Sequence, residues 1–233
     1  RVPPGVRVVG TGVEEGPRRV SGRDEFRVRA AFVRDFALAA SRRFRALERR
    51  VGDVTVRSVF VDGRGAAGRR VLGAAARSLR LFARRFGDYP YTELDVVEAP
   101  LVGGAGGVEF GGMVTVATMF YRPVEGDDGF FGALAGGDLE GRRRAMLELV
   151  TAHEVAHQWW HGIVGSDSRQ HPFQDEGLAQ YSAVLYLEER YGPARARREL
   201  ERQVASSYHL MRLMGRPDGA VDRPASAFAD PLS

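Results

Sequence analysis

The chain has 233 residues, 44% of them hydrophobic and 27% charged, a globular composition that excludes wholesale disorder, collagen-like repeats and a coiled coil as descriptions of the whole. Its 34 basic residues are all arginine, set against 30 acidic ones for a net charge of +4, and lysine, asparagine and cysteine are absent. The pI of about 9.8 thus reflects a base that does not titrate rather than lopsided charge, which argues for biased codon usage and against a nucleic-acid partner, and no disulfide or thiol chemistry is available.

No uninterrupted apolar run reaches the ~20 residues of a membrane span, and no signal peptide is visible. The chain begins at Arg1, so it is expected to be a piece of a longer polypeptide. Location, whether cytoplasm or cell envelope, and oligomeric state stay open.

Residues 6–9, 25–32, 36–41 and 54–61 are rich in β-branched or aromatic side chains with partial alternation and read as strands, punctuated by Pro3-Pro4 and Gly16-Pro17. Residues 69–86 carry Leu72, Ala75, Ala76, Leu79, Phe82, Ala83 and Phe86 at helical spacing, and Gly87 ends that helix. Residues 94–99 read as a strand. A glycine-rich stretch follows at 103–112, then a strand at 114–120. A loop over 122–137 holds the acidic pair Asp127 and Asp128, and 142–162 reads as a long helix. The polar segment 165–174 leads into a helix over about 175–190. Gly192-Pro193 closes it and opens another that runs to about Met214. Beyond that, three prolines and no clear element but a short turn are expected. Strands first, then strands mixed with a helix, then helices alone predict an α+β lobe over 51–233, preceded at 1–50 by the end of a β-rich domain.

The decisive stretch is His153-Glu154-Val155-Ala156-His157. On a helix, positions i and i+4 share one face, so both imidazoles reach one metal ion. Glu154, one residue on, can touch a metal-bound water without ligating the metal, which is the zinc-peptidase helix pattern. At this composition the pattern arises in roughly 0.7% of shuffled chains, so it is read as a site rather than as two solvated histidines. A catalytic zinc site takes three protein ligands. His161 has turned ~80° away from His153 and is read as a boundary histidine facing solvent or a cleft. Ile163 stands where a metzincin would place its third histidine, which excludes that class. Glu176, at the start of a new helix, is the better third ligand. Asp175 is either the acceptor for the outer nitrogen of a ligand histidine or the cap of that helix. Trp159 and Trp160 read as core or cleft wall.

His153-Glu154-Val155-Ala156-His157-Gln158-Trp159-Trp160 followed by Asp175-Glu176-Gly177-Leu178-Ala179 resembles the gluzincin aminopeptidases of the aminopeptidase N and leukotriene hydrolase type. Gly106-Gly107-Val108-Glu109-Phe110 resembles that family's Gly-x-Met-Glu-Asn segment, which lies in a strand lining the active site, and departs from it at Val108 and Phe110. The resemblance runs from about Val33 to Ser233. It implies a thermolysin-like catalytic domain, truncated at its C-terminal end, and hydrolysis of the N-terminal bond of peptides with a free N-terminus. It implies one Zn²⁺ per chain on His153, His157 and Glu176, and Glu154 as general base and then proton donor. Glu109 would hold the substrate's α-amino group, and backbone around Gly106 and Gly107 would pair with its main chain. The family's oxyanion-stabilising tyrosine is expected beyond Ser233, and Tyr181, Tyr186, Tyr191 and Tyr208 are not assigned to that role. Two other readings stay open: a thermolysin-like endopeptidase with the same ligands, and a non-catalytic module that keeps the fold.

Overall fold

In the computed structural model, residues 1–102, 105–123 and 139–228 are described, apart from the side chains of Gln203, Val204 and Ser207. Most of the loop expected at 122–137, including Asp127 and Asp128, lies outside the described residues, as do Gly103, Gly104 and the last five residues.

Six strands open the chain: β1 (Arg7–Gly10), β2 (Val13–Val20), β3 (Arg23–Arg29), β4 (Leu38–Ser41), β5 (Phe44–Val51) and β6 (Val54–Val61). β1 pairs with β4 and β2 with β3, as two antiparallel ribbons. β2 and β5 were not legible as strands. β2 is charged, and its register shifts at Gly16-Pro17. β5 carries three arginines and a glutamate in eight residues. It forms because it is the outer strand of the main sheet, where a charged rim is tolerated and guards the open edge. β5 and β6 pair without a break from Phe44–Val61 to Val51–Val54. The boundary expected at residue 50 therefore falls inside a hairpin, and the main sheet begins at Phe44.

β7 (Glu93–Ala99), β8 (Gly107–Phe110) and β9 (Met113–Ala117) complete a five-stranded mixed sheet in the order β5-β6-β7-β9-β8. It is parallel at β6–β7 and β7–β9 and antiparallel at both ends. Helix α1 (Gly65–Phe86) makes the crossover that parallel β6 and β7 require. The central strands are buried on both faces because both faces are covered, one by a wholly apolar core and the other by apolar residues beside the ion pair of Arg57 with buried Asp95. Val56, Leu94, Val96, Val114 and Val116 share a core with Leu79 and Phe82 of α1. Val59, Val97 and Met113 pack the other way, with Val9 of β1 and Phe44.

Helices α2 (Leu139–Ala156), α3 (Pro172–Tyr191), α4 (Pro193–Leu200) and α5 (Ser206–Leu213) follow, with a π-helical stretch between the last two. α2 packs between α1 and α3. It stops at Ala156, short of the expected 162. Past it, the amides of Gly162, Ile163 and Val164 bond to the carbonyls of His157, Gln158 and Trp159, and His161 takes a φ of 143° that no helix contains. α3 starts at Pro172, three residues early, because proline suits the first helical position. Among the described residues no helix is long and apolar enough to cross a membrane.

Candidate metal centre

His157 lies one residue past the end of α2, but its amide still bonds to the His153 carbonyl, at 3.3 Å. The i,i+4 relation therefore survives, and the two rings meet edge to face with centroids 4.8 Å apart. Their Nε2 atoms are 3.1 Å apart. Glu176, from the start of α3, brings Oε2 to 3.1 Å from His153 Nε2 and 3.7 Å from His157 Nε2. Two nitrogens bound at zinc–nitrogen distances in a tetrahedral arrangement stand about 3.3 Å apart. The three donors fit a zinc ion in kind and in spacing, with all ligand atoms within 4.8 Å of one another.

The outer ring nitrogens are fixed as well. His153 Nδ1 donates to Gln180 Oε1 at 3.1 Å, and His157 Nδ1 donates to the Trp160 carbonyl at 2.9 Å. Each bond aims the opposite nitrogen at the shared point. Asp175 plays neither part expected of it. It lies inside the first turn of α3, so it is no cap. Its carboxylate accepts from the Glu176 amide and from Ser168, and stands 3.4 Å from His161 rather than against a ligand histidine. Gln180 was missed although it follows Glu176 by four residues and so shares its helix face; the Trp160 carbonyl leaves no side-chain signal at all. His161 stays outside the trio, among Ser168, Asp175, Asp35 and Glu109. Trp159 is buried in the core and Trp160 bonds to Ser182. The hydroxyls of Tyr186 and Tyr191 are taken by Glu148.

Glu154 faces the same cleft, a space of about 630 Å³ lined by Gly106, Gly107, Glu109, the trio and the apolar wall of Met146, Leu149 and Val150. It is only 5% exposed, and its Oε2 is buried without a hydrogen-bond partner, an arrangement that calls for a ligand in the cleft. β8 passes so close that a Cβ on Gly107 would overlap the Glu154 carboxylate. Glu109, one pleat further along β8, joins Glu154 and His157 in a second cluster of potential ligand atoms within 4.8 Å.

Charge in the pocket is correspondingly perturbed. Burial pushes the Glu154 carboxyl up to about 8, with His157 opposing and Glu109 and Glu176 adding to the rise. Burial alone would lower His157, but its bond to Glu176 and the neighbouring carboxylates carry it to about 9. Desolvation would raise Glu176, and the two histidines outweigh it and hold the carboxyl well below the usual range. A proton on His157 competes with any metal. Because this pKa lies above the ordinary 6.5, proton binding stabilises the metal-free fold below about 6.5, and the gain is lost as pH rises through about 9. Apparent zinc affinity is therefore expected to rise about tenfold per pH unit up to about pH 9 and then level, which competition against a chromophoric chelator measures.

No profile of a known protein family matches the chain. Two curated proteins are similar to part of it. Aminopeptidase M1-B of Oryza sativa subsp. japonica is 31% identical over 129 residues, 54% of this chain and 13% of its own length. Aminopeptidase 2 of Candida albicans is 30% identical over 129 residues, 55% of this chain and again 13% of its own. The chain thus matches about an eighth of each relative, and the similarity reaches as far as aminopeptidases.

Proposed function

We propose that the chain carries the catalytic core of a zinc-dependent aminopeptidase, with the sheet and helices forming a thermolysin-like lobe. The observation that carries this is the convergence of His153, His157 and Glu176 on one point, beside a buried carboxylate with an unpaired oxygen. Partial similarity to two aminopeptidases supports it. His153, His157 and Glu176 would hold the ion, close to one per chain. The chemistry that bound zinc supplies is Lewis acidity, which acidifies water and polarises a carbonyl.

The chain's own residues do the rest. Glu154 Oε2 accepts a proton and later returns it to the leaving amine. A cation on the trio favours the ionised form of Glu154 against the burial that raises its pKa. Gly107 leaves room for that carboxylate. Glu109 sets a negative charge beside the base, where the cationic N-terminus of a peptide is attracted. β8 is the last strand of the sheet, and its outer side can pair with an extended peptide main chain.

Two results are expected. Gly107→Ala should keep zinc but lower turnover about 10²-fold, since misplacement of a reacting group by about 1 Å costs that much; activity per bound zinc is the measurement. Glu109→Ala should lower kcat/KM for free N-terminal peptides by about 10- to 100-fold, the worth of a hydrogen bond to a charged group, and leave N-blocked peptides unaffected. Equal effects on both substrates would instead identify an endopeptidase.

A further inference from the structure

We infer that Gln158 is a positioning residue that locks the β8–β9 hairpin, and Glu109 with it, onto the end of the metal-bearing helix. The inference rests on the reading of Glu109 as the group that holds the substrate amine. Gln158 directly follows His157 and is 1% exposed. Both ends of its amide are engaged. Nε2 donates to the carbonyl of Phe110, the last residue of β8, at 2.9 Å. Oε1 accepts from the amide of Gly112 at 2.8 Å, and the Tyr89 hydroxyl lies 3.3 Å from the same oxygen. Phe110 ends β8, and Gly112 is the second residue of the Gly111-Gly112 turn into β9, where it takes a φ of 76°. One side chain thus grips the end of β8 and the turn itself. The pairing is directional: one end must donate to a carbonyl while the other accepts from an amide, and of the side chains of this length only a carboxamide does both.

β8 needs such a tether. It has four residues and closes the sheet, pairing with β9, so few backbone bonds hold it. Phe110 adjoins Glu109, and Gly107 lies three residues back against Glu154. A shift of the hairpin moves both relative to Glu154. The metal trio stands on α2, on the residue that follows it and on α3, and none of its three members belongs to the hairpin. Loss of the tether should therefore impair amine binding and leave the metal in place.

Gln158→Met keeps the shape and removes both bonds. It is expected to bind zinc as the parent does. Amide hydrogen exchange over residues 107–112 should quicken by roughly tenfold to thirtyfold, as the loss of two hydrogen bonds implies. KM for a free aminoacyl substrate should rise by a similar factor while kcat changes far less, and the preference over the N-blocked substrate should shrink. Gln158→Glu, which sets an oxygen against the Phe110 carbonyl, should shift exchange in the same direction if the methionine variant fails to fold. Unaltered exchange at 107–112, loss of zinc, or a fall in kcat at constant KM would overturn the inference. The exchange readout needs no turnover, so an inactive parent protein would defeat the functional reading without deciding the tether.

Discussion

Replacing Glu154 by glutamine is expected to leave one zinc per chain and to lower turnover by about 10²–10⁴-fold, the usual contribution of a positioned general base. Glu154 is not one of the three converging ligands, so the metal has no need of its charge. The amide matches the carboxylate in shape, which matters where Gly107 leaves so little room. What it cannot do is accept a proton. A second readout is independent of turnover. Burial holds Glu154 up near 8 from its ordinary 4.5. Its contribution to stability of the metal-free fold is thus present below about 4.5 and lost as pH rises through about 8. The glutamine variant should lack that loss, and its thermal midpoint should vary less across this interval. Turnover within tenfold of the parent, at equal zinc content, would exclude Glu154 as the base.

Glu176→Ala should act on the metal itself. Removal of a partner that merely orients a ligand costs 10–100-fold in affinity, which is the loss expected for Gln180→Ala. Removal of a ligand should exceed it. The variant carries a second signature, because Glu176 is one of the groups that raise His157. The bond between them and the charge of Glu176 are among the causes that bring the imidazole to about 9. Without them part of that rise is lost, and the pH at which zinc uptake levels should fall. Equilibrium titration with zinc at several pH values reads both effects. Affinity equal to the parent's would remove Glu176 from the site and leave the two histidines without a third ligand.

The parts of this molecule that were legible in its sequence are those governed by local rules. Helix α1 carries clear periodicity, and the strands β6, β7 and β9 carry apolar and β-branched runs, because they form the core. The paired histidines are four residues apart, and a helix brings them together whatever surrounds it. β2 and β5 were hidden by their charges, since an edge strand or an exposed ribbon owes its pairing to a neighbour rather than to an apolar pattern. The end of α2 was misplaced because Trp159 and Trp160 are anchored to different elements, Trp159 to Gly87 just after α1 and Trp160 to Ser182 of α3. Those anchors, and the His161 backbone, break a helix that the local sequence would continue.

The chain's order of residues determined which donors exist: two imidazoles one turn apart, a carboxylate between them, and a second carboxylate on the following helix. Tertiary structure alone decided how these meet. It set the 3.1 Å approach of Glu176 to His153, the choice of Gln180 and the Trp160 carbonyl as supports, the turn of Asp175 toward His161, and the placing of Glu109 beside Glu154. Spacing along one helix is geometry that the backbone repeats everywhere. An approach between two helices, or between a helix and a short edge strand, depends on the packing of everything beneath them, and no local stretch of sequence carries that information.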